Sequence, residues 1–177
     1  MAVAYLCLGS NLGEREKNLC RALTMLSGSV EIGRVSSVYE TESVPRRPRG
    51  SEHPLFLNLV CRIETQLSPG DLLRLAKEIE RTMGRGAGGE RDAPRVMDVD
   101  ILLYDDEIVE TDSLAIPHPR LADRAFVLIP LAEIAPDLVH PGRRMTIAGL
   151  ADAVEGREGV WKYEGGSDVS AICGRAL

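Results

Sequence analysis

The chain has 177 residues, 44% of them hydrophobic, which is enough for one substantial core and predicts a single domain over 1–177. Its 27 acidic residues outnumber 21 basic ones, for a formal net charge of -6, which argues against a general nucleic-acid coat. The first residues carry neither a charged start nor a long apolar run, so no signal peptide or membrane span is expected and a cytoplasmic location follows. Cys7, Cys20, Cys61 and Cys173 lack CxxC spacing. They are expected to be reduced, mostly buried thiols.

In chain order, residues 2–8 read as a buried strand ending in the turn Gly9-Ser10-Asn11-Leu12-Gly13, with Asn11 as the expected cap of the helix that follows. Leu19, Ala22, Leu23 and Leu26 recur at helical spacing, and Ser27-Gly28 stops that helix before a second strand over 32–41. Residues 45–54 are rich in proline and charge and predict an exposed, mobile loop. A strand over 56–65 follows, then Ser68-Pro69 opening a helix with the apolar stripe Leu72, Leu75, Ala76, Ile79 and Met83. The glycine-rich segment 84–93 predicts a second mobile loop.

The strand after that loop carries the most informative residues. In Pro94-Arg95-Val96-Met97-Asp98-Val99-Asp100-Ile101-Leu102-Leu103-Tyr104, two carboxylates interrupt an apolar run. Strand alternation turns Asp98 and Asp100 to the same side, roughly 7 Å apart along the chain. Left alone, the pair would repel. Magnesium, which takes oxygen ligands and keeps phosphates in its shell, removes that penalty. Arg85, Arg91 and Arg95 stand just upstream, and guanidinium forks match phosphate oxygens, so the combination points to polyphosphate chemistry. Further on, Pro117-His118-Pro119 predicts a stiff turn, and Pro130 is expected to split the apolar segment 125–134 into short helices. Trp161 and Tyr163 are expected to pack the tail onto the body. The order strand, helix, strand, strand, helix, strand predicts an α+β, ferredoxin-like fold, an antiparallel sheet with helices on one side and two long mobile loops at one end.

Distributed motifs carry a family resemblance: Leu8-Gly9-Ser10-Asn11-Leu12-Gly13, Ser36-Ser37-Val38-Tyr39-Glu40-Thr41, Phe56-Leu57-Asn58, Gly84-Arg85, Arg91, Pro94-Arg95, Asp98-Val99-Asp100-Ile101-Leu102, Pro117-His118-Pro119-Arg120-Leu121, Arg124-Ala125-Phe126-Val127-Leu128 and Glu133-Ile134-Ala135-Pro136. In this order they resemble the 6-hydroxymethyl-7,8-dihydropterin pyrophosphokinases of folate biosynthesis, over about residues 3–150. The tail 151–177 has no assigned counterpart. The resemblance implies transfer of pyrophosphate from ATP to the dihydropterin with release of AMP, and two magnesium ions held by Asp98 and Asp100. It implies that Arg85, Arg91 and Arg95 approach the phosphates, that Ile101, His118 and Arg124 serve ATP, and that Thr41, Val44, Phe56, Asn58 and Phe126 hold the pterin. A monomer acting on small molecules, without nucleic-acid or membrane partners, is expected.

Several positions depart from the family pattern. Ala87 replaces the second arginine of an Arg-x-Arg pair, Asp92-Ala93 replace a Trp-Gly, Glu42 stands where proline is frequent, and Ser113 where some members carry an arginine. These departures predict weaker nucleotide binding or slower loop closure. Two other readings are a non-catalytic pterin- or nucleotide-binding module and a ferredoxin-like RNA-binding module. The second is disfavoured by the acidic charge and by the lack of paired aromatics on central strands.

Overall fold

A computed structural model describes residues 1–42, 55–84, 95–165, 168, 169 and 173. The two segments read as mobile loops lie almost wholly outside the described residues. So do Val44, Arg85, Ala87, Arg91, Asp92 and Ala93.

Strand β1 (Ala2–Ser10) leads into helix α1 (Arg15–Ser27). Strands β2 (Glu31–Val35) and β3 (Tyr39–Thr41) follow, then β4 (Phe56–Thr65), helix α2 (Pro69–Thr82) and β5 (Asp98–Tyr104). The sheet runs β5-β1-β4-β3, with β2 also on β4, and every pairing is antiparallel. The last strand of the β-α-β-β-α-β unit therefore sits beside the first, as in ferredoxin-like folds. A short hairpin of β6 (Val109–Glu110) and β7 (Ala115–Ile116) leads to helices α3 (Ala125–Ile134) and α4 (Ile147–Ala153). Strand β8 (Val160–Lys162) then extends the sheet along β3.

Several sequence expectations need correction. Residues 32–41 form two strands, because Ser36 turns out of the ladder. Its hydroxyl accepts from Val60 N–H at 2.9 Å and its own N–H donates to Val60 O at 2.9 Å, with a register shift between Ile32 and Val35. Helix α3 is continuous through Pro130. Pro130 cannot donate to the carbonyl four residues back, but six of the helix's ten residues are buried, and that burial outweighs one missing bond. Helices cover both faces. Ala4, Leu6 and Leu8 of β1 join a core with the buried residues of α1 and α2, whereas Tyr5 and Cys7 join a second core with α3 and α4.

Cys20 and Cys173 form a disulfide, against the expectation of four thiols. They are 153 residues apart in sequence, a pairing that spacing alone does not reveal. Cys7 and Cys61 are free and buried, as expected. Helix α2 matches its reading: Ser68 Oγ accepts from Asp71 N–H at 3.2 Å, and Pro69 occupies the first turn.

Candidate active site

Strand register places five of the six sequence-predicted residues that lie on strands on one face of the sheet. Tyr39 pairs with Asn58, Asn58 with Gly9, and Gly9 with Asp98, which makes one row across β3, β4, β1 and β5. Cross-strand partners share a face, and residues two apart on a strand share it too. Thr41, Phe56 and Asp100 therefore stand on the same side. This is the side of α3, because Tyr39 Oη donates to Glu133 Oε2 at 2.8 Å and Cys7, opposite Asp100, belongs to the α3 core.

The row has a gap at its centre. A Cβ on Gly9 would lie 2.6 Å from Asn58 Oδ1, so only glycine lets that amide lie across the strand. Asn58 Nδ2 in turn donates to Thr41 Oγ1 at 2.7 Å, and both residues are buried. Phe56 and Phe126 are only half-buried, and the Arg124 guanidinium lies 5.3 Å from the centre of the Phe126 ring.

At the other end, cations converge on the carboxylates. Arg95 Nη1 donates to Asp98 Oδ2 at 3.0 Å, and Arg124 Nη1 lies 3.5 Å from Asp100 Oδ2. His118 Nε2 lies 3.9 Å from the same oxygen. Its Nδ1 accepts from Arg120 N–H at 3.1 Å, which leaves the proton of a neutral ring on Nε2. Burial lowers the His118 pKa below its ordinary value, and Arg124 and Arg120 add to that against the pull of Asp100. Burial also pushes the Cys7 thiol well up, with Asp100 and Asp98 adding to the shift, so it stays protonated beneath the site.

The donor set fits magnesium. Asp98 and Asp100 offer hard oxygens whose side chains are 24% and 30% exposed. No group of three or more His, Cys, Asp or Glu side chains suited to a metal occurs among the described residues. Two carboxylates leave most coordination positions to water and phosphate, which is how magnesium is commonly held. Ile101 does not join this face; it is buried in the core beneath α1 and α2. Ser113 is exposed.

Two buried polar residues that the sequence did not assign to the site hold the carboxylate strand. Asn11, expected as a helix cap, instead accepts Arg95 N–H on Oδ1 at 2.6 Å, while its own N–H donates to Arg95 O at 3.1 Å. Helix α1 begins later, after Glu14, with no side-chain cap bond. Glu80 of α2, 1% exposed, accepts Val99 N–H on Oε1 at 3.0 Å, between the two aspartates, and pairs with Lys77 Nζ at 3.0 Å. Its sequence signal was a charge on the apolar stripe, eight residues after Leu72. A cavity of about 570 Å³ is lined by Thr41, Arg124 and Phe126 together with Val154, Gly159 and Val160.

The model of the 7,8-dihydro-6-hydroxymethylpterin-pyrophosphokinase (HPPK) family matches residues 5–136. The chain belongs to this family. Among curated HPPK relatives, the 2-amino-4-hydroxy-6-hydroxymethyldihydropteridine pyrophosphokinase of Bacillus subtilis is 39% identical over 168 residues, covering 94% of each chain. The enzyme of the same name from Aquifex aeolicus is 40% identical over 141 residues, covering 80% of this chain and 85% of that one. The folic acid synthesis protein FOL1 of Dictyostelium discoideum is 40% identical over 144 residues, and the match spans 21% of its length. The wild-type Plasmodium falciparum HPPK-DHPS structure superposes with a TM-score of 0.66 at 17% identity, covering 85% of this chain and 44% of that one, which shows the shared HPPK fold. No helix among the described residues is long and apolar enough to cross a membrane.

Proposed function

We propose that this chain transfers the terminal pyrophosphoryl group of ATP to the hydroxymethyl group of 6-hydroxymethyl-7,8-dihydropterin. The hydroxymethyl oxygen attacks the β-phosphorus, the bond from that phosphorus to the α-phosphate oxygen breaks, AMP leaves, and the hydroxyl proton passes to solvent. The observation that carries this reading is the single row that puts the Asn58-Thr41 pair and the Asp98-Asp100 pair on one face of the sheet.

The residues divide the work. Thr41 and Asn58 supply fixed hydrogen-bonding groups for the polar edge of a planar ring, and the half-buried Phe56 and Phe126 offer aromatic faces for stacking. Val44 would add backbone groups at that edge. Asp98 and Asp100 would hold magnesium, which when bound neutralises triphosphate charge and aligns it for in-line transfer. Arg95 and Arg124 already neighbour those carboxylates and would turn toward phosphate oxygens, joined by Arg85 and Arg91. His118, neutral at pH 7, would donate from Nε2. The carboxylate strand starts from a fixed position, because Asn11 and Glu80 hold its backbone from two sides.

Incubation with ATP, magnesium and the dihydropterin, resolving AMP from ADP, tests this. Pterin-dependent AMP is expected, and Asp98→Ala should reduce it by more than about a hundredfold, the scale of losing a positioned electrostatic group. ADP as the product, or unchanged turnover in the variant, would refute the reading.

A further inference from the structure

The C-terminal segment beyond α4 lies outside the residues that the family model matches, yet it reaches the pterin side of the site. After α4 the chain turns at Gly156, whose φ of 82° is left-handed, and passes through a short 3-10 turn, Arg157–Gly159, into β8. Strand β8 runs antiparallel to β3, with Val160 opposite Thr41 and Lys162 opposite Tyr39. Flanking bonds extend this seam: Glu42 N–H donates to Gly159 O at 3.3 Å and Tyr163 N–H to Val38 O at 2.9 Å. The Arg15 guanidinium over the Tyr163 ring, at 5.9 Å, adds a further anchor.

Two consequences meet at Val160. As Thr41's cross-strand partner it stands on the site's face, and it lines the same 570 Å³ cavity as Phe126. Strand β3 has three residues, and β8 gives it a second neighbour beside β4, fixing from both sides the strand that presents Thr41 to Asn58. We propose that residues 154–160 form the outer wall of the pterin pocket, with Val160 setting the room available to the ring. The segment governs affinity for a planar bicyclic heterocycle and leaves nucleotide affinity alone. This rests on the function proposed above.

The test uses the full chain, with 6-hydroxymethylpterin as a fluorescent probe and a non-hydrolysable ATP analogue with magnesium titrated separately. Val160→Trp, which fills the wall, should raise the pterin Kd at least tenfold and leave the analogue's Kd unchanged. Val160→Leu should fall between it and the unaltered chain. Trp161→Ala, on the opposite face of the same strand, should change neither. A folded Val160→Trp protein that binds pterin normally overturns the proposal. If that variant does not fold, Val160→Leu decides, and an unchanged pterin Kd overturns it equally. An unaltered chain that binds the analogue but no pterin removes the functional reading itself, and the wall with it.

Discussion

Replacing Glu80 separates the contribution of a hydrogen bond from that of a charge. Its carboxylate is 1% exposed, accepts Val99 N–H at 3.0 Å and pairs with Lys77, whose side chain is 46% exposed. Strand β5 pairs with β1 on one edge, so Val99 N–H points to the other edge and finds its acceptor in α2. Glu80→Leu keeps similar bulk but offers no acceptor. It leaves a buried N–H unsatisfied, which costs about 1–3 kcal/mol. Glu80→Gln keeps a carbonyl oxygen for Val99 and gives up the charge, whose ion pair with the half-exposed Lys77 is worth about 1 kcal/mol or less. For a chain of this length each kcal/mol moves the melting temperature by about 2–4 °C. Urea denaturation of both variants, with amide exchange at Val99, measures the difference. The expected order is Leu well below Gln, with Val99 exchange accelerated only in Leu. Equal losses in both variants would show that charge, not the backbone bond, is what α2 contributes.

Two further outcomes follow from groups away from the site. His140 Nδ1 accepts the N–H groups of Gly142 at 3.1 Å and Arg143 at 3.2 Å, and burial lowers its pKa, with Arg143 adding to the shift. A folded-state pKa below the unfolded value means that its contribution is complete above about pH 6.5 and is lost as pH falls through the folded pKa. Stability measured from pH 7 to 5 should therefore decline less steeply in His140→Asn than in the unaltered chain, and identical slopes would count against the assignment. For the Cys20-Cys173 bridge, thiol titration after denaturation without reductant should find two reactive groups, Cys7 and Cys61. Cys20→Ser should lower stability by about 2–4 kcal/mol in oxidising buffer and by little in reductant. Four thiols in the untreated protein would show that the bridge does not form.

The sheet was legible because its information is local. The continuous apolar run 2–8, the alternation through 56–65, the helical stripe on α2 and the proline at its start each specify their element within one segment. The carboxylate pair was legible for the same reason, since period-2 geometry alone puts Asp98 and Asp100 together. What stayed hidden depends on register between distant strands. Gly9 next to Asn58, Asn11 on Arg95 and Glu80 on Val99 join residues 19 to 84 positions apart, and a single chain's spacing does not report them. The break at Ser36 stayed hidden because it is set by bonds to Val60, 24 residues away, and the continuity of α3 through Pro130 because local propensity does not report the burial that overrides it.

Because Asn58, Gly9 and Asp98 are neighbours in one hydrogen-bonded ladder, the span from Asn58 to Asp98 equals two inter-strand steps, roughly 10 Å. That span works as a ruler made of backbone. Its length is set by strand spacing rather than by side chains, so under the proposed function sequence drift in the surrounding loops would alter how tightly substrates are held while the reach between ring and phosphorus stayed constant.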